Sequence, residues 1–313
     1  MLSRTAENLY WIARYMERAE NIARLLSVGQ RMSILSLDTD VHAAEWSSTL
    51  LATGCAESYA AKYGEPEAQT VIDYLARDPD NPSSILACLE TARRNARAVR
   101  IALTSDMWEA INTTWLDLSR FGEGDLTQER IRPFLDWVRE RSELFSGAAS
   151  NTMLRNDAYW FVRLGTHIER ADSTARILDV KYHVLLPEHQ RVGGALDYYQ
   201  WSAILRSVSA LRAYHWVYRD RLKPWLVAEL LMLRQEMPRS LVSCLGEIAR
   251  TLDVLAEAYG TRGECHRLAG HLHSQLRYGK IDTIFKGGLH EYLTGFIDEN
   301  AVLGQEISRQ YLM

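Results

Sequence analysis

Two stretches of this chain set glutamate beside arginine inside long amphipathic patterns. Glu17-Arg18 lies in "LYWIARYMERAENIARLL" (Leu9 to Leu26), and Glu169-Arg170 lies in "AYWFVRLGTHIERADSTARIL" (Ala158 to Leu178). A positioned carboxylate can act as acid or base, and a guanidinium can clamp a carboxylate or phosphate in a two-point fork. Plotted with helical periodicity, Leu9, Ile12, Met16, Ala19, Ile22, Ala23 and Leu26 share one face of the first stretch. Tyr10, Arg14, Glu17, Asn21 and Arg24 fall opposite, with Trp11, Arg18 and Leu25 beside them. The second stretch sets Trp160, Leu164, Ile168, Ala171, Ala175, Leu178 and Tyr182 against Arg163, Thr166, Glu169, Arg170 and Ser173.

Large aromatics among charges mean that these polar faces are not wholly open to water. A helix buried on both sides sits at the centre of a bundle, and its charges must then pair, because an unpaired buried charge is severely costly. Arg14 with Glu17, Arg163 with Glu169 and Arg170 with Asp172 are candidate pairs along one helix; pairing across the two stretches is the alternative. Two readings stand at this point. One is a structural Glu/Arg network that fixes helix register. The other is a polar cleft that binds a ligand with carboxylate, amide or phosphate groups, with Glu17 and Glu169 as candidate catalytic residues.

Other constellations are weaker. Arg93, Arg97 and Arg100 recur at i, i+4, i+7 and could hold an acidic partner or a phosphate, though Glu90 makes ordinary surface ion pairs the plainer reading. "PRS" at Pro238 to Ser240 opens a helix, where Arg239 and Ser240 could bind an anion or Ser240 could simply cap. "ECHRLAGHLH" gathers Cys265, His266, His271 and His273, but His266 and His273 are two turns apart, too far for one zinc, so no metal is expected. No phosphate-binding glycine loop, nucleophile elbow or Glu-x-x-His di-iron pair occurs, and no cofactor is expected.

The elements that position these residues read as all-α. Only 7 prolines and 18 glycines punctuate the chain, and strict two-residue alternation is nearly absent. The expected helices run from about Ser3 to Leu35, Val41 to Tyr63, Glu67 to Arg77 and Ile85 to Leu103, the last capped by Asn81 with Pro82 in the first turn. Further helices run from Ser105, which caps, to Arg120, from Thr127 to Phe145, interrupted or kinked near Pro133, and from Asp157 to Leu185. The remainder are Leu196 to Arg219, Pro224 to Leu233, Pro238 to Tyr259, Arg262 to Tyr278 and Ile281 to Tyr311, the last weakened by Gly287, Gly288 and Gly295. The alignment of "ERAENIARLL" with "ERADSTARIL" suggests an internal duplication, with halves of about 1–150 and 151–313 forming one domain.

Hydrophobic residues make up 47% and charged residues 24% of the 313-residue chain, a globular composition. A net charge of −4 offers no global field for nucleic acid or anionic lipid. The N-terminus lacks a secretory h-region, and no apolar run is long enough to span a membrane. Four scattered cysteines without a CxxC pair fit reduced thiols, and a cytoplasmic location is expected. Of 36 basic residues, 5 are Lys and 31 are Arg, which suits bidentate pairing but also a GC-rich genome.

"MLSRTAENLYWIARYMERAENIARLL" resembles the opening of the alpha-E domain family, helical proteins named for an "ER" signature. "ARRNARAVR" (Ala92 to Arg100), "MWEAIN" (Met107 to Asn112), "WFVRLGTHIERAD" (Trp160 to Asp172) and "VAELLMLRQEMPRSL" (Val227 to Leu241) fit the family pattern in order, covering nearly the whole chain. Arg94 departs from it, standing where the pattern has an acidic residue. The resemblance implies an all-helical bacterial protein associated with circularly permuted ATP-grasp proteins, transglutaminase-like proteins and proteasome-like peptidases, with Glu17, Arg18, Glu169, Arg170, Arg239 and Ser240 at signature positions. ATP-grasp ligases join carboxylates to amines. The expected function is therefore a partner or accessory protein of an amide ligase, binding the ligase or its peptide or carboxylate substrate. The alternatives are a pathway enzyme using Glu17 or Glu169 as acid/base and a purely structural scaffold. The ligand-binding set comprises Tyr10, Trp11, Arg14, Glu17, Arg18, Asn21, Arg163, Glu169, Arg170, Arg97, Arg239 and Ser240.

Overall fold

The computed structural model describes residues 3–33, 39–183 and 194–313. Among them the chain forms fifteen α-helices and no strand. The first half of the chain contributes α1 (Ser3–Ser33), α2 (Thr39–Thr53), α3 (Ala56–Tyr63), α4 (Ala68–Ala76), α5 (Ile85–Ala98), α6 (Ser105–Asp117) and α7 (Arg132–Thr152). The second contributes α8 (Asp157–His183), α9 (Ala195–Ser207), α10 (Leu211–Tyr218), α11 (Pro224–Met232), α12 (Leu241–Tyr259), α13 (Glu264–Arg277), α14 (Ile281–Gly287) and α15 (Leu289–Tyr311). The expected extensions of α1 to Leu35 and α8 to Leu185 lie outside the described residues.

Three expected helices are divided, each by a residue in the left-handed region. Gly54 at φ +70° parts α2 from α3, and Gly288 at φ +97° parts α14 from α15. Ser209 at φ +58° parts α9 from α10, a break that neither glycine nor proline announces. Helix starts also move. Ser84, not Asn81, caps α5 by accepting from the Ala87 N–H, while Asn81 Oδ1 accepts from the Ser83 N–H of the preceding turn. Thr104, not Ser105, caps α6 by accepting from Met107. Pro133 does not kink a helix but stands in the first turn of α7, where its missing N–H costs nothing.

α1 and α8 pack against each other at the centre. α5 and α7 cover α1, while α12 and α15 cover α8. Every residue of the expected α1 apolar face is buried, and Tyr10, Glu17, Asn21 and Arg24 on the opposite face are buried too. The expected α8 stripe fails at its ends: Trp160 is only half-buried, and Tyr182 is 58% exposed, stacking on His290 instead. Both are amphipathic aromatics, which cover apolar surface while keeping one edge in water.

The close approach of α1 and α8 depends on Gly165. A Cβ there would collide with the Tyr10 carbonyl oxygen and fall 3.1 Å from Ala13 Cβ. Backbone cannot yield as a side chain can, so Gly165→Ala is expected to cost at least the roughly 1–3 kcal/mol typical of overpacking. Gly147, inside α7, has nothing within 4 Å of the position a Cβ would take, so Gly147→Ala should stabilise by about 0.4–1 kcal/mol through the unfolded state. Urea unfolding of the two variants checks the pair of opposite signs.

Candidate functional site

The polar faces of α1 and α8 meet each other. The two helices run in the same direction, since Tyr10 and Ala13 approach Gly165 while Arg18 reaches Glu169. Each glutamate therefore lies closer to arginines of the other helix than to those of its own. Glu169 accepts from Arg14 Nε at 2.7 Å and from Arg18 Nε at 2.5 Å, with Arg18 Nη2 completing a fork at 3.1 Å. Reciprocally, Glu17 accepts from Arg170 Nε at 3.0 Å and Nη2 at 2.7 Å. The same-helix pairs Arg14–Glu17, Arg163–Glu169 and Arg170–Asp172 do not form. Arg163 instead joins Glu247 at 2.8 Å, and Asp172 joins Arg176 at 2.7 Å.

The two glutamates occupy different surroundings. Glu17 belongs to an inner network: Arg239 Nη1 also reaches it at 2.9 Å, and Arg239 Nη2 continues to Glu20, which takes Arg24 at 2.6 and 2.8 Å. Arg24 and Glu20 are each 2% exposed, and Arg24 also donates to the Ser207 carbonyl. Burial, with Arg239 nearby, outweighs Glu20 and lowers Arg24 to about 10. Glu169, by contrast, stands at the wall of an open cavity of about 670 Å³. That volume is within the usual range of small-molecule sites.

Three helices supply most of the cavity lining, with residues at one-turn spacing, and Thr53 at the end of α2, Gly54 and Ser83 add to it. α1 gives Trp11, Arg14, Arg18 and Asn21; α8 gives Ile168, Glu169, Asp172, Ser173 and Arg176; α15 gives Asn300, Gly304 and Ser308. The Arg14 guanidinium lies 4.7 Å from the Trp11 ring centre, which explains an aromatic among the charges. Two guanidiniums meet one carboxylate, so this cluster carries one uncompensated positive charge among the described residues. Arg176 and Arg309 each have a carboxylate partner, Asp172 at 2.7 Å and Glu306 at 2.6 Å.

Burial by itself would raise the Glu169 carboxyl, but Arg14 and Arg18 outweigh it and hold it at about 2. Arg170 and Arg239 do the same for Glu17, against its burial. Both glutamates are ionised near neutrality, far from the pKa a general acid or base needs at that pH.

Several polar atoms at the cavity lack a hydrogen-bond partner among the described residues. They are both ends of the Asn21 amide, the Ser173 hydroxyl and Asn300 Oδ1. Asn300 Nδ2 is used, donating to the Ile168 carbonyl at 3.1 Å. Unsatisfied buried polar groups cost about 1–3 kcal/mol each, which makes their concentration at one cavity informative.

The remaining predicted residues are placed elsewhere. Tyr10 is fully buried, its hydroxyl accepting from Arg14. Glu17, Arg170 and Arg239 belong to the inner network. Arg97 is exposed on α5, while its stripe neighbours Arg93 and Arg100 lie over Trp115 and Trp108. Ser240 is buried and caps α12, accepting from the Ser243 N–H and donating to the Arg234 carbonyl. Asp172, Ser173 and Arg176 line the cavity but stand outside the predicted binding set, although they follow Glu169 at i+3, i+4 and i+7. Asn300 and Gly304 come from a helix with no motif, and only its packing on α8 reveals them. Among the described residues, no three His, Cys, Asp or Glu side chains gather as a metal site, and no helix is long and apolar enough to cross a membrane.

An uncharacterised protein of Mycobacterium tuberculosis and its Mycobacterium bovis counterpart are each 25% identical to this chain over 296 residues, covering 88% of the chain. The chain spans about a third (32%) of the length of these curated relatives. No solved structure matches it. The model of one family, Alpha-E, described as a predicted alpha-helical domain with a conserved ER motif, matches residues 1–312, so the chain belongs to that family.

Proposed function

We propose that this chain is a ligand-binding accessory protein of an ATP-grasp-type amide ligase, and that its cleft holds the carboxylate of the ligase's substrate or peptide product. One observation carries the reading: Arg14 and Arg18 converge on a single carboxylate beside a cavity of about 670 Å³, leaving one positive charge for an anion. The ligase itself is suggested by the family resemblance. The relatives' greater length fits a domain that works joined to further polypeptide. Acid/base catalysis by Glu17 or Glu169 is disfavoured, since both carboxyls are held well below the neutral range. A structural role suits the inner network of Glu17, Glu20, Arg24, Arg170 and Arg239. The exchanged pairs Glu17–Arg170 and Glu169–Arg18 support an origin by duplication within one domain. The four free, buried cysteines fit a reducing cytoplasm.

The test is co-purification with the ATP-grasp protein of the same organism, followed by ATP turnover of each protein alone and of both together. A stable complex that consumes ATP or forms amide only when both are present is expected. No complex and unchanged turnover would remove the reading. Gly304→Leu should keep the complex and lower its turnover about tenfold. A Cβ at position 304 lies 3.7 Å from Arg14 Nη1 and 3.6 Å from the Tyr10 hydroxyl, so a longer side chain fills the cleft.

A further inference from the structure

We infer that the ligand presents an amide beside its carboxylate, as the C-terminus of a short peptide does; this rests on the carboxylate-cleft reading above. Asn21, Ser173 and Asn300 are 5%, 4% and 2% exposed, and all three line the cavity. Their unpartnered atoms comprise one pure donor, Asn21 Nδ2, two pure acceptors, Asn21 Oδ1 and Asn300 Oδ1, and the Ser173 hydroxyl, which is both. A second carboxylate on the ligand would supply acceptors only, leaving Asn21 Oδ1 and Asn300 Oδ1 unmatched. An amide supplies an N–H for an acceptor and a C=O for a donor.

The spacing agrees. Asn21 follows Arg18 by three residues, so it lies about 4.5 Å further along α1. Ser173 follows Glu169 by one turn on the parallel α8, and Asn300 bonds the Ile168 carbonyl from α15. Asn21 and Ser173 therefore stand about 4.5 and 6 Å beyond the Arg18 and Glu169 positions along the two helices, within reach of the first one or two residues of a peptide that rises about 3.3–3.8 Å per residue. A terminal carboxylate at the guanidiniums places the preceding peptide bond beside Asn21.

Calorimetric titration with three probes tests this: N-acetyl-alanyl-alanine, its C-terminal carboxamide, and N-acetyl-alanyl-lactate, in which an ester oxygen replaces the peptide N–H. The acid is expected to bind, with the ester and the carboxamide each tenfold weaker or more. An ester that binds as well as the amide overturns the amide inference and leaves the carboxylate reading standing. A carboxamide that binds as well as the acid overturns the carboxylate reading instead. No binding of N-acetyl-alanyl-alanine at millimolar concentration overturns the inference outright. Asn21→Leu should erase the difference between amide and ester while keeping that between acid and carboxamide, without loss of thermal stability. Asn300→Leu serves the same purpose if Asn21→Leu does not fold. A stable variant that still discriminates amide from ester refutes the assignment.

Discussion

Glu17→Gln is expected to cost the protein about 3–5 kcal/mol of folding stability, the loss usual when one partner of a buried ion pair is removed. Glu17 and Glu20 together face three guanidiniums, those of Arg24, Arg170 and Arg239. Without Glu17, Glu20 faces all three with only the exposed Glu143, 3.9 Å from Arg24, beside it, and Arg24 already has its pKa lowered by burial and by Arg239. Glu169→Gln removes as many hydrogen bonds but should cost only about 1–3 kcal/mol, because the charge left on Arg14 and Arg18 faces the cavity and can be hydrated. Chemical denaturation of both variants measures the difference. Equal losses would mean that the two halves of the ER exchange are energetically alike and that the inner network has no special weight. Should Glu17→Gln fail to fold, Glu17→Gln/Arg170→Gln is expected to recover part of the loss, since it deletes a pair and not one partner.

The second large effect is acid destabilisation that begins near neutrality. His167 is buried, and burial together with Arg163 and Arg170 lowers its pKa from 6.5 to about 3. Its Nδ1 lies 2.8 Å from the Arg163 carbonyl, which suits a neutral ring donating there. The unfolded chain binds a proton at His167 near pH 6.5 and the folded chain does not, so stability is lost as pH falls from 6.5 toward 3. Each pH unit in that window costs up to about 1.4 kcal/mol for one such group. Glu169 and Glu17 act in the same direction at lower pH. The Glu169 carboxyl is lowered from 4.5 to about 2, so its stabilising contribution is complete above about pH 4.5 and disappears between there and about 2. Urea midpoints between pH 7 and 5 should fall for the natural protein and fall less steeply for His167→Phe, whatever that variant's absolute stability; the slope that remains is owed in part to His273, whose pKa is lowered by burial and by Arg277. Equal slopes would show that His167 titrates normally.

Both effects arise from a placement that periodicity only half conveyed. The apolar face of α1 was legible residue by residue, because seven positions from Leu9 to Leu26 repeat with the helical period and all are buried. The burial of its polar face was legible too, from Tyr10 and Trp11 among charges. The partners were not. The candidate same-helix pairs gave way to the exchange across helices, since a wheel projection shows which face a charge occupies and not what stands opposite. Cap positions moved by one to three residues for a related reason. Asn81, Ser83 and Ser84 are all plausible caps, and only the local turn decides which oxygen meets an N–H. The break at Ser209 had no sequence signal, as a non-glycine residue held at φ +58° is held there by its surroundings.

By itself, then, the sequence determined the helical class, the two ER segments as central helices, and the family to which the chain belongs. Those properties follow from local periodicity and short motifs, which chain neighbours fix. Only the tertiary structure decided that Glu169 faces a cavity while Glu17 joins Glu20, Arg24 and Arg239 inside. It alone brought Asn300 and Gly304 of α15 against α8, more than a hundred residues away in sequence. A cleft is the space left between helices, and its shape depends on how closely they pack. Here that packing depends on Gly165, whose missing side chain lets α8 rest against the backbone of α1.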